Sequence, residues 1–290
     1  IVMMKKYELT QNSIKINNKT LYQIRVLKNF GSVKKGDLGG YIEAEKNLSH
    51  DGNCWVFGKA EVSGDAQVSG NAQVFGKAQV SENALVCENA RVSENARVSG
   101  NAQVYGNAQV YGNTQVYGKA QVFGGAQVYG NARVPENAWI FGNAHVSGDT
   151  KVFGNAQVFE NAKVSGNARV SGDAQVSGNT LVSGNVQIYG NAHVYGDAQV
   201  FESAQVSGNV HVSGNAHVYG NTRLGYIPID FDCDFDPYEA LKEILNYPEI
   251  LPVLLGLNKN LDKLISTIPV SYTHLRAHET SLHLVCRLLL

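Results

Sequence analysis

Histidine is the side chain best suited to moving protons at neutral pH, and this chain holds eight. Four of them, His145, His193, His211 and His217, share one local setting, directly before a Val. A histidine there could serve as a general base, provided that a shaped, partly dry pocket orients a substrate against it. The plainer reading is a solvated side chain standing where Gln usually stands. His193 and His211 are the pair to which catalysis would fall. Aromatic residues form the second set: Tyr105, Phe123, Phe141 and Phe159 recur at one fixed interval, and Tyr111 and Tyr129 repeat it. Aligned aromatics of this kind can stabilise one another, form a subunit interface, or make a sugar-binding stripe.

The positions of all these residues are set by a repeat. From Ala60 to Asn221 a six-residue unit recurs about 27 times without insertion or deletion. A small residue, usually Ala, precedes Val by two places; Ser, Tyr or Phe follows, and Gly-Asn, Glu-Asn, Gly-Asp or Gly-Lys closes the unit. Side chains alternate across a strand, so Ala and Val face inward while Gln before Val and Ser or Tyr after it face outward. Gly-Asn tolerates a left-handed backbone and lets the chain turn a corner. Three such sides close a coil of about 18 residues, and coils stack as parallel strands about 4.8 Å apart. Residues one coil apart therefore lie above one another. Tyr105, Phe123, Phe141 and Phe159 become a ladder, Tyr111 and Tyr129 a second column, and His193 lies directly under His211.

The unit, an aliphatic residue, a free position, Gly, Glu or Asp, Asn or Gly, a small residue and a free position, resembles that of the hexapeptide-repeat acyltransferases. That family implies a left-handed parallel β-helix; handedness rests on the resemblance alone, since the usual crossover preference is right-handed. It also implies acetyl-CoA or another acyl-CoA as cofactor, and a histidine base between subunits, aided by a loop that interrupts the coils. No such loop interrupts the repeats here. Lys5 to Thr10, the stretch Gly36-Asp37-Leu38-Gly39-Gly40-Tyr41-Ile42, and Leu48 to Val56 resemble hexapeptide-repeat proteins of phages and gut bacteria that carry a transferase label. The γ-class carbonic anhydrases share the fold and hold zinc through three histidines, but the spacing of His193, His211 and His217 does not resemble theirs, and no metal is expected.

The ends differ from the middle. Tyr7 to Thr10 and Ile14 to Phe30 read as strands, with Asn17-Asn18 as a hairpin turn, a β cap over residues 1–41 that shields the first coil. The hexad register traces back to place Leu48 and His50 where Ala and Val would stand, and Ile42 and Ala44 one hexad earlier. The β-helix then spans 42–225, about ten coils and roughly 48 Å of rod, and His50 reads as a satisfied structural histidine. Residues 226–269 read as a C-terminal cap: an alternating strand from Ile229 to Asp236, whose acidic side reads as a solubilising face, and a helix opened by Asp236-Pro237. Residues 270–290 are set apart, because Val270 to Thr280 resembles a translated sequencing-library adapter. His274, His278, His283 and Cys286 then carry no functional weight.

With 24 basic and 25 acidic side chains the chain is near neutral, yet the charge is uneven, about +5 over Met3 to Asn47 and about −5 over Gly225 to Pro269. Both ends read as solvated, or as attracting one another head to tail. The dense basic patch of a nucleic-acid binder is missing, as is any apolar run of membrane-spanning length, and a cytoplasmic protein is the default expectation. The four cysteines show no metal-type or disulfide spacing. The expected architecture is all-β, a single parallel β-helix with two caps. The expected function is a non-catalytic scaffold or binding rod that associates with its own copies or another partner, with an acyl-CoA-dependent acyltransferase as the alternative.

Overall fold

A computed structural model describes residues 5–16 and 18–225. Asn17, the expected C-terminal strand and helix, and the adapter-like tail lie outside the described residues. Two-residue strands at every Gln-Val or equivalent pair wind into three parallel stacks, and with three longer N-terminal strands added to one of them the sheets have 13, 10 and 9 strands among the described residues. Each strand pairs in register with the strand one coil on, as Gln103–Val104 does with Gln121–Val122. Three backbone hydrogen bonds per side join successive coils: Gln103 N–H donates to Ala120 O (2.9 Å), Tyr105 N–H to Val122 O (3.0 Å) and Asn107 N–H to Gly124 O (2.7 Å).

The inside of the coils is apolar apart from a few corner residues, because Val and Ala alternate inward on every side and are almost without exception fully buried. Burying each Val contributes about 2 kcal/mol relative to leaving it in water, and each coil buries three. Thr114 and Thr150 replace Ala at corners, and their hydroxyls donate to carbonyls three residues back, Tyr111 O at 2.6 Å and Ser147 O at 2.5 Å.

The corners divide their work differently from the expectation. The left-handed residue is the first of each closing pair, for example Gly124 (φ 68°) or Glu136 (φ 62°), and the Asn that follows it in the hexad does not adopt that conformation. A glutamate there costs about 1 kcal/mol of backbone strain. The carboxylate offsets it: Glu88, Glu136 and Glu160 each accept the N–H of the glycine one coil on, Gly106, Gly154 and Gly178, at 2.9, 2.7 and 2.6 Å. Asn instead links coils side chain to side chain, Asn71 donating to Asn89 (3.1 Å) and Asn89 to Asn107 (3.2 Å). That column breaks at Gly125, where an added Cβ would lie 2.8 Å from the movable Asn143 Oδ1. Gly125→Asn is expected to bridge Asn107 to Asn143 and raise stability by about 1 kcal/mol. The check is a higher thermal unfolding midpoint; a lower one would mean the ladder contributes nothing there.

The N-terminal strands continue one face of the coil. Strands β1 (Tyr7–Ile16) and β2 (Lys19–Val26) form an antiparallel hairpin, with Asn18 left-handed at its turn. Strand β3 (Leu38–Ile42) pairs antiparallel with β2 and parallel with Glu61–Val62, so the hairpin prolongs the 13-stranded sheet. The back-traced register needs correction. Ile42 pairs with Val62 and Leu48 with Val68, so both hold Val positions, and Ala44 and His50 hold neither role. Val56 pairs with Val74 as the repeat requires. Two extra residues therefore lie between Leu48 and Val56. The larger aliphatic side chains occupy the core and the surplus goes into the turn, because an imidazole gains less from an apolar interior.

No helix among the described residues is long and apolar enough to cross a membrane.

Candidate functional site

The 9-stranded face carries the four-membered aromatic column and the His193–His211 pair. On it the residue before each Val points outward in one column and the residue after each Val in a second, and pairing in register aligns both along the rod. The second column holds Tyr105, Phe123, Phe141 and Phe159, whose rings stack at 4.9 Å between centroids with planes within 2° of parallel. Tyr111 and Tyr129 stack likewise at 5.0 Å on the 10-stranded face.

Planes at most 4.9 Å apart leave no room for a guest between rings. The ladder therefore offers outside molecules its edges, which disfavours the sugar-stripe reading. Its rings are half-buried. Tyr105 O–H donates to Gln121 Oε1 at 3.2 Å, and burial, with Glu88 and Cys87 nearby, pushes the Tyr105 phenol above its ordinary value. Tyr111 is raised too, by burial first and then by Tyr129 and Glu94. Beside the ladder Trp139 replaces Gln, meets Phe123 edge-on at 6.4 Å, and stays 40% exposed.

Past Phe159 the ladder stops at Ser177, and a groove of about 440 Å³ opens there, lined by Glu160, Gln175, Ser177, His193, Tyr195 and His211 among others. The His193 and His211 rings are parallel at 4.8 Å, and Tyr195 stands edge-on to His211 at 6.2 Å. The two expected histidines are thus brought together, while His145 and His217 lie on the 10-stranded face. The Glu160 carboxylate is engaged by Gly178 N–H at 2.6 Å, and neither His193 nor His211 has a side-chain hydrogen bond to a carboxylate among the described residues. Stacking holds the two rings parallel, while a carboxylate partner is what would fix the tautomer of a catalytic histidine. No group of three or more His, Cys, Asp or Glu side chains among the described residues is arranged to hold a metal.

A second cluster, at the N-terminal end, was not legible in the sequence. Lys6 is 1% exposed, and its ammonium donates to Cys54 O (2.9 Å), Cys54 Sγ (3.2 Å) and, at 3.4 Å each, Asp51 O and Gly52 O. Phe30 lies over the same nitrogen, 4.8 Å to the ring centroid. His50 stacks on Tyr7 at 4.4 Å and accepts Lys6 N–H at 3.3 Å through Nδ1, whereas Nε2 is buried without a hydrogen-bond partner among the described residues. It is therefore satisfied on one side only. Burial lowers the Lys6 and His50 values and raises those of Cys54 and Tyr7. A lone Lys in a β cap gives no sequence signal for burial; only the loop made by the two extra residues brings carbonyls to it.

Comparison with known families agrees with this geometry. Residues 66–82, 90–106, 102–118, 126–140, 162–178, 186–202 and 204–220 match the family model for the YdcK beta-solenoid repeat. The chain is a repeat β-solenoid. Most matched stretches cover nearly one coil, so what is shared with that family is the coil itself. A search of curated proteins finds no match.

Proposed function

We propose that this solenoid is a non-catalytic scaffold rod and that copies of it associate through the 9-stranded face. The observation that carries the reading is the half-buried aromatic ladder with Trp139 exposed beside it, on a wall that no loop interrupts between Ala60 and Asn221. Contiguous apolar surface of this kind marks contact sites. The 13-stranded face suits a copy of itself less well, since Arg133, Lys151 and Arg169 stand on consecutive rungs in direct register. Like charges so placed repel.

Replacing Tyr105, Phe123, Phe141 and Phe159 together with Ser tests the reading, since Ser stands at the same place in many hexads, for example Ser69 and Ser177. The wild-type chain is expected to gain mass with concentration in sedimentation, and the variant to remain at the mass of one chain while keeping its β circular dichroism. Equal association of the two, or none by the wild type, would sink the proposal.

One observation favours a second reading, an acyl-CoA-dependent acyltransferase: His193 and His211 line the same groove. Calorimetry with acetyl-CoA decides between them. Micromolar binding lost in His193→Ala or His211→Ala would promote the enzyme, and no saturation at millimolar ligand supports the rod.

A further inference from the structure

We propose that Lys6 and Cys54 are a covalent modification site, joined by dioxygen into an N–O–S bridge that ties the hairpin cap to the first coil. The two atoms are already in contact, Nζ to Sγ at 3.2 Å, and both side chains are buried, at 1% and 0% exposure. The amine is held in place by the carbonyls of Asp51, Gly52 and Cys54 and by the Phe30 ring, so little further ordering is needed for reaction. Dioxygen is small and apolar enough to enter such a site, whereas a bulky thiol or disulfide is not.

The reaction balances as amine plus thiol plus O₂ giving N–O–S plus water. One N–H bond and the S–H bond break; N–O and O–S bonds form. Nitrogen and sulfur together lose four electrons, and dioxygen takes all four, one oxygen becoming the bridge and the other leaving as water with the two hydrogens. Burial lowers the Lys6 value, which eases loss of the extra ammonium proton to solvent before the amine reacts. Cys87 is the internal control: it is a free, half-buried thiol and has no amine hydrogen-bonded to it among the described residues.

The bridge closes a long loop between the cap and the first coil, which restricts the unfolded chain as a disulfide would. The experiment is mass spectrometry of the air-exposed chain, digested without reductant. The expected product is a Lys6 peptide joined to a Cys54 peptide, heavier than their sum by about 14 Da. Dithiothreitol should release it and lower the unfolding temperature by several degrees, leaving Cys87 unlinked throughout. Cys54→Ala restores the small residue that Ala60 supplies one hexad later, so that variant is expected to fold, with no linked peptide and no reductant-sensitive transition. Lys6→Met should behave alike. Cys54 recovered as a free thiol, oxygen added to Cys54 alone, or a direct N–S bond, lighter by about 2 Da, would each overturn the proposal.

Discussion

Val128→Asp is expected to cost about 4 kcal/mol or more, because it places an unpaired carboxylate in an interior with no partner to offer. Val128 is fully buried and stacks in register between Val110 and Val146. The backbone groups around it are already spent on coil-to-coil bonds, such as Gln127 N–H to Ala144 O at 2.9 Å. Stability in a solenoid resides in contacts between neighbouring coils. A charge at this position therefore weakens the interfaces on both sides and is expected to split the unfolding transition. The neighbouring Gln127→Asp change, on the outer surface between Gln109 and His145, should alter stability by no more than about 0.5 kcal/mol. Denaturant unfolding followed by circular dichroism compares the two, and similar losses would mean that a charge is tolerated no worse inside the coil than on its outer surface.

Gly39→Val is expected to detach the hairpin cap, since β3 passes closer to its neighbours there than any side chain allows. A Cβ on Gly39 would lie 2.5 Å from Ile24 Cγ1, 2.6 Å from Trp55 Cζ2 and 2.6 Å from Val56 O. Gly40 is equally confined, 2.5 Å from Ala60 O. Overpacking against rigid backbone costs about 3 kcal/mol, and the strain falls on the joint between β2, β3 and the first coil. Once the joint opens, the exposed strand edge is free to pair with another chain. Light scattering and binding of an amyloid dye should rise in the variant while the circular dichroism of the distal coils persists. A variant with unchanged stability that scatters no more light and binds no more dye than the wild type would show that the close approach is not what holds the cap.

The repeat made the coil legible because its information is local and redundant. Alternation of Ala and Val decides which side faces inward, and a period of six with three sides decides which residues stack. From those two facts the columns of Tyr105 to Phe159 and of His193 with His211 follow, and the structure contains both. The division of labour at the corners was less legible. Gly-Asn marks a turn either way, and only the stacked coils show Asn bonding to the Asn one coil on and Glu accepting a glycine N–H across the same gap. The first coil escaped the pattern altogether. With one degenerate turn, nothing local tells Leu48 from His50 as the inward residue, and that choice is made by which side chain the existing core of Val68 can accept. Lys6 beside Cys54 belongs to the same class. The two are far apart in the chain, neither is flagged by its neighbours, and their contact exists only because the hairpin folds back over the open end of the coil and must satisfy the carbonyls it covers. Periodic sequence by itself determined the coil, its interior and the stacking of its outer columns, since each hexad repeats the same instruction. Tertiary structure alone decided how the coil is closed, because closure depends on long-range packing that occurs once and leaves no period to read.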